Sequence, residues 1–124
     1  MAEKHEQIAL FKRAQFNPVT RDYMFAIPNG GSRHPIEAAN LKKQGVKPGI
    51  PDIFLAYPTI KYHGLWIELK RLNPTPGILT CNQIMWLDKL KRCGYSAAVA
   101  YGWEDAWKKI IDYLGETVAE NTNK

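Results

Sequence analysis

Asp52, Glu68 and Lys70 are the residues whose types and spacing best suit chemistry. Asp52 ends the turn-rich run Gly-Val-Lys-Pro-Gly-Ile-Pro-Asp, and Glu68 and Lys70 stand two apart in Leu-Trp-Ile-Glu-Leu-Lys. Residues 52–57 and 65–70 read as strands, and the gap between them is too short for a helical crossover, so they form an antiparallel hairpin. With its tip centred on Ile60, Tyr57 faces His63 and Asp52 faces Glu68. Cross-strand partners hold their Cβ atoms about 4.5–5.5 Å apart, so the two carboxylates repel unless something positive sits between them.

A hard divalent cation fits that need. Magnesium takes oxygen ligands at about 2.0–2.1 Å and keeps several waters. Two carboxylates and the backbone carbonyl of Leu69 leave positions open for water and a further oxygen ligand. Side chains alternate along a strand, so Trp66, Glu68 and Lys70 share one face while Leu65, Ile67 and Leu69 share the other. A lysine there is a compact point charge that can hold an attacking water or offset developing negative charge. A bare Glu-x-Lys is most often a surface ion-pair cluster, and it is the hairpin, more than the spacing alone, that points to chemistry.

The elements that must position these residues follow from capping and periodicity. Residues 2–16 read as a helix ended by Asn17-Pro18. Residues 23–27 read as a short strand stopped by Pro-Asn-Gly-Gly, and 35–44 as a helix that starts on Pro35 and ends at Gly45. After Asn-Pro-Thr-Pro-Gly, Thr80 caps a helix reaching Arg92, and Gly94 stops it. Residues 96–101 are a β-compatible run, and 104–114 a last helix. The chain reads as one domain over residues 1–115, with 116–124 a polar, flexible tail. Helices and strands so mixed imply an α/β fold, a central mixed β-sheet flanked by helices.

Composition narrows the class. The chain has 124 residues, 45% of them hydrophobic, which suits one ordinary core. No apolar run is long enough for a membrane span, and the first residues lack the pattern of a secretory signal, so the expected compartment is the cytoplasm. A net charge of +5 favours a polyanionic partner. Cys81 and Cys93 stand at the two ends of one expected helix, about 18 Å apart by helical rise, too far for a disulfide.

Taken together, GVKPGIPDIFL, HGLWIELKR, TCNQIMWLDKLKRCGY and the NGG loop resemble the VRR-NUC family, virus-type replication and repair nucleases of the PD-(D/E)xK superfamily. The resemblance runs from about Glu3 to Leu114. It implies a restriction-endonuclease-like αβββαβ core with the helix at 35–44 as an elaboration. Asp52 and Glu68 carry over as metal ligands, with Leu69 through its carbonyl, and Lys70 as the catalytic lysine. Gln83 matches a glutamine that orients water or phosphate. An acidic residue on the first helix is expected as well. At 100° per residue, Gln7 centres the face of Leu10, Phe11 and Ala14, with Glu3 about 40° from it and Glu6 about 100° away, which favours Glu3.

What the resemblance implies about activity is a structure-specific DNA endonuclease of phage or bacterial type, acting in DNA repair and similar to a Holliday-junction resolvase. Magnesium is the expected cofactor, manganese can substitute, and no small-molecule cofactor is expected. Branched DNA is the expected partner, held by a homodimer. Asn29, Arg33, Lys42, Lys43, Lys47 and Arg71 are the expected DNA contacts. The competing reading is a catalytically inactive DNA-binding module.

Overall fold

The computed structural model describes residues 2–28 and 34–122, the side chains of 116–122 excepted. Elements run α1 (Glu3–Ala14), α2 (Pro18–Tyr23), β1 (Met24–Ala26), α3 (Pro35–Lys43), β2 (Ile53–Leu55), β3 (Leu65–Lys70), α4 (Cys81–Arg92), β4 (Ser96–Tyr101) and α5 (Trp103–Thr122). The sheet order is β1-β2-β3-β4. The first two pairings are antiparallel and β3–β4 is parallel, so the sheet is mixed, as expected.

The hairpin register agrees with the expectation. Ile53 pairs with Ile67, Phe54 with Trp66 and Leu55 with Leu65. The ladder is shorter than expected and does not reach Tyr57 and His63. The His63 N–H turns away to the Gly94 carbonyl, 3.0 Å. At the tip, the Thr59 hydroxyl accepts from the N–H groups of Lys61 and Tyr62, a local turn that competes with ladder pairing.

One face of the sheet carries the main core. Leu65, Ile67 and Leu69 of β3 pack with Ile53, Leu55, Leu10, Ala14, Ala106, Ile110 and Tyr113, so α1 and α5 cover this face. Trp103 and Trp107 pack at its margin. Leu87 of α4 and Ala97 of β4 are buried outside this cluster, and α4 contacts β3 and β4. Helices thus lie on both faces, an α/β arrangement. Among the described residues, no helix is long and apolar enough to cross a membrane.

Several local outcomes differ from expectation. Asn17-Pro18 ends α1 but also starts α2: the Asn17 Oδ1 accepts from Val19 N at 2.9 Å and Thr20 N at 3.2 Å, with Pro18 at the first helical position. That is a helix-start signature, and reading it only as a stop missed α2. The buried Thr20 hydroxyl donates to the Ala14 carbonyl, 2.7 Å, tying the two helices together. The helix expected over residues 104–114 continues to Thr122. α4 matches its expectation and carries a full capping box from Thr80. Cys81 and Cys93 are exposed and unbridged.

Gly49 locks α4 against the turn that leads into Asp52. Its φ is +90°, and a Cβ there would lie 2.6 Å from the backbone carbon of Asn82. Gly49→Ala is therefore expected to lower stability by more than the about 1–2 kcal/mol of a left-handed backbone alone. Thermal and denaturant melts would measure this, and an unchanged melting temperature would refute the close approach.

Candidate active site

The backbone around Asp52 explains how two acids come to face each other. The Asp52 carbonyl accepts from Ile27 N at 2.7 Å and Ala56 N donates to the Tyr23 carbonyl at 2.9 Å, so even-numbered residues of β2 bond towards β1. Odd-numbered ones, Ile53 and Leu55, bond towards β3. Asp52 and Glu68, just beyond the Ile53–Ile67 pair, occupy a non-hydrogen-bonded position, where side chains stand closest. Their carboxyl groups are hydrogen-bonded to each other. The Asp52 Oδ2 also accepts from Leu69 N, 2.9 Å.

Glu68 is 2% exposed, and its Oε1 is buried without a hydrogen-bond partner. Burial, first, and then the hydrogen bond and charge of Asp52 push its carboxyl up to about 9, with Glu3 adding to the rise and Lys70 opposing it. Glu68 therefore keeps its proton near neutrality. Lys70 is buried at 7% exposure, on the same face as Glu68.

The helix α1 contributes differently from the helical-wheel expectation. Its buried row is Glu6, Leu10 and Ala14, with Gln7 only half-buried and Glu3 exposed. The inward face is thus centred on Glu6 and not on Gln7. Glu6 is drawn in by the start of α5, where its Oε1 accepts from Trp103 N at 3.4 Å. A carboxylate at a helix N-terminus is favourable, which accounts for a buried acid there. Glu3 nevertheless stands by the pair: a Cβ on Gly77 would lie 3.2 Å from Glu3 Oε1 and 3.1 Å from Lys70 Cδ. Gly77 is buried over Lys70, held by its N–H to the Arg71 carbonyl at 3.0 Å. Nothing in the sequence marked Gly77 or the capping role of Glu6.

The remaining expected residues lie further out. Gln83 sits in the capping box, its Oε1 accepting from Thr80 N at 2.9 Å, which leaves its amide NH₂ to act as donor. Lys42, Lys43 and Lys47 are exposed on and after α3, a helix with no buried residue. Arg71 is half-buried at the end of β3. Asn29 and Arg33 lie outside the described residues.

The donor set fits a hard divalent ion. Glu68 Oε1 is a buried oxygen in want of a partner, and Asp52 lies beside it. Among the described residues, no three His, Cys, Asp or Glu side chains converge to hold an ion by themselves. The set is accordingly two carboxylates and backbone oxygen, with the rest of the shell left to water, a pattern magnesium accepts.

Comparison with known proteins decides the family. The VRR-NUC domain matches residues 5–104, most of the chain. The chain belongs to the VRR-NUC family. A solved structure described as a VRR-NUC domain protein is 28% identical, with a TM-score of 0.80, covering 93% of this chain and 89% of that one. No curated protein matches it. VRR-NUC domains are nuclease domains, so the carboxylate pair and Lys70 lie within a nuclease fold.

Two expectations follow. Above its ordinary value of 4.5, an unfolded Glu68 releases the proton that folded Glu68 keeps up to about 9. The metal-free protein therefore loses stability as pH rises from about 4.5 to about 9, and Glu68→Gln flattens that slope in melts across the range. A slope unchanged by the substitution would contradict the raised pKa. Glu6→Ala is expected to cost about 1–2 kcal/mol by stranding the α5 N-terminus, whereas Glu3→Ala costs little. Equal losses in chemical denaturation would undo the distinction.

Proposed function

We propose that this VRR-NUC protein is a metal-dependent, structure-specific DNA endonuclease that hydrolyses phosphodiester bonds, with branched DNA such as a four-way junction among its substrates. The observation that carries the reading is buried Glu68 beside half-buried Asp52. Glu68 keeps a proton and an unpartnered carboxyl oxygen near Lys70, an arrangement of little use to stability but suited to a cation.

Asp52, Glu68 and the Leu69 carbonyl would hold magnesium, or manganese in its place. When bound, the ion supplies Lewis-acid polarisation of a phosphate oxygen and a water of lowered pKa. Lys70 positions the attacking water and offsets the charge that builds on the phosphate. Glu3 adds negative charge at the rim and accepts a hydrogen bond from water. Gln83 offers its amide NH₂ to phosphate. Water attacks phosphorus in line, the P–O bond to the leaving oxygen breaks, and solvent protonates that oxygen.

Lys42, Lys43, Lys47, Arg71, Asn29 and Arg33 are proposed to contact the DNA backbone. Exposed lysines on an otherwise unburied helix are placed to do so, and a net charge of +5 draws the polyanion in. Two symmetric cuts in a junction need two active sites, which supports a homodimer.

Cleavage of four-way, flap and linear DNA, with magnesium or with a chelator, tests the reading. Cutting that magnesium supports and chelator stops is expected, with paired symmetric incisions in the four-way substrate. Asp52→Ala, Glu68→Ala and Lys70→Ala are each expected to slow cutting about 10²–10³-fold while still folding. Wild-type speed in any of the three would remove that residue from the mechanism. A wild-type protein that binds DNA and cuts none would leave a binding module.

A further inference from the structure

The residue before Asp52 has its own part in the site. Two carbonyls show which edge of β3 faces which neighbour: Gly64 O accepts from Ser96 N at 2.9 Å, and Lys70 O from Gly102 N at 2.8 Å. Even-numbered residues of β3 thus bond towards β4, and odd-numbered ones towards β2. Leu55–Leu65 and Ile53–Ile67 are the pairs that exchange hydrogen bonds. Continued by one step, the next such pair is Pro51 with Leu69.

Proline has no N–H, so the Leu69 carbonyl receives no ladder bond from position 51. The Leu69 N–H, which a continuing ladder would direct to the Pro51 carbonyl, instead donates to Asp52 Oδ2. β2 accordingly begins at Ile53. The Pro51 side chain is fully buried, so packing holds it at the entrance to β2.

We infer that Pro51 is a positioning residue for the cation: by withholding a donor, it keeps the Leu69 carbonyl out of the β-ladder, next to the Leu69 N–H that Asp52 holds. One missing N–H thereby leaves that carbonyl oxygen free for the ion. Any other residue at position 51 supplies a donor that competes with the ion for that carbonyl. The inference rests on the metal-dependent reading above.

Binding of Mn²⁺ alone, without DNA, tests it by calorimetry. Pro51→Ala is expected to weaken Mn²⁺ binding roughly 10-fold or more, an effect typical of losing a group that orients a ligand. The new amide at position 51 should be protected in hydrogen exchange, marking the extended ladder. Pro51→N-methylalanine, made by semisynthesis, again lacks the N–H and is expected to bind like the wild type. Loss of affinity in this second variant would assign the effect to the proline ring and overturn the inference, however the alanine variant folds. A protected amide with unchanged Mn²⁺ affinity would overturn it too. If the wild type binds no Mn²⁺, the metal-dependent reading falls with it; if it binds and Pro51→Ala binds equally, the role of Pro51 alone falls.

Discussion

The molecule is organised around two carboxyl groups that should not be neighbours. Asp52 and Glu68 meet across the end of a two-strand ladder, hydrogen-bonded to each other in a setting where Glu68 is 2% exposed. Burying one carboxylate is costly, and a second, half-buried one beside it adds to the cost. The fold meets this by leaving a proton on Glu68, and one carboxyl oxygen still goes unpartnered. Such an arrangement weakens the protein, and under the proposed function a cation would relieve it.

The surrounding architecture exists to hold that pair still. β3 lies at the centre, antiparallel to β2 on one edge and parallel to β4 on the other. Its odd-numbered side chains anchor the main core against α1 and α5, so its even-numbered ones are held to the opposite face. Glu68 and Lys70 are therefore aimed by the apolar packing of Ile67 and Leu69, not by their own contacts. The Lys70 carbonyl then receives Gly102 N, 2.8 Å, which joins the end of β3 to the start of α5.

The two acids of α1 divide their tasks by one helical turn. Glu6 serves the N-terminus of α5 and belongs to the frame. Glu3 lies towards Lys70 and raises the Glu68 carboxyl by its charge. The separation matters because an exposed acid can reorganise with substrate, whereas a buried cap cannot do so without loosening α5.

Much of this was legible in the sequence. The hairpin register followed from connection length, and the ladder Ile53–Ile67 to Leu55–Leu65 agrees with it. Alternation in Leu65–Lys70 assigned the faces, Thr80 announced the start of α4, and the motifs pointed to the VRR-NUC family. These are local signals, because backbone period, loop length and cap chemistry act within a few residues. What the tertiary structure alone decided depends on distant partners. Glu6 is inward because Trp103 N, far away in the chain, needs an acceptor, and a helical wheel knows nothing of it. Gly77 folds over Lys70, and Gly49 meets Asn82, through close approaches that no spacing predicts. Asp52, Glu68 and Lys70 come to one end of the sheet only because β2 and β3 pair. The retained proton and orphaned oxygen of Glu68 arise from burial, a property of the whole fold rather than of any segment.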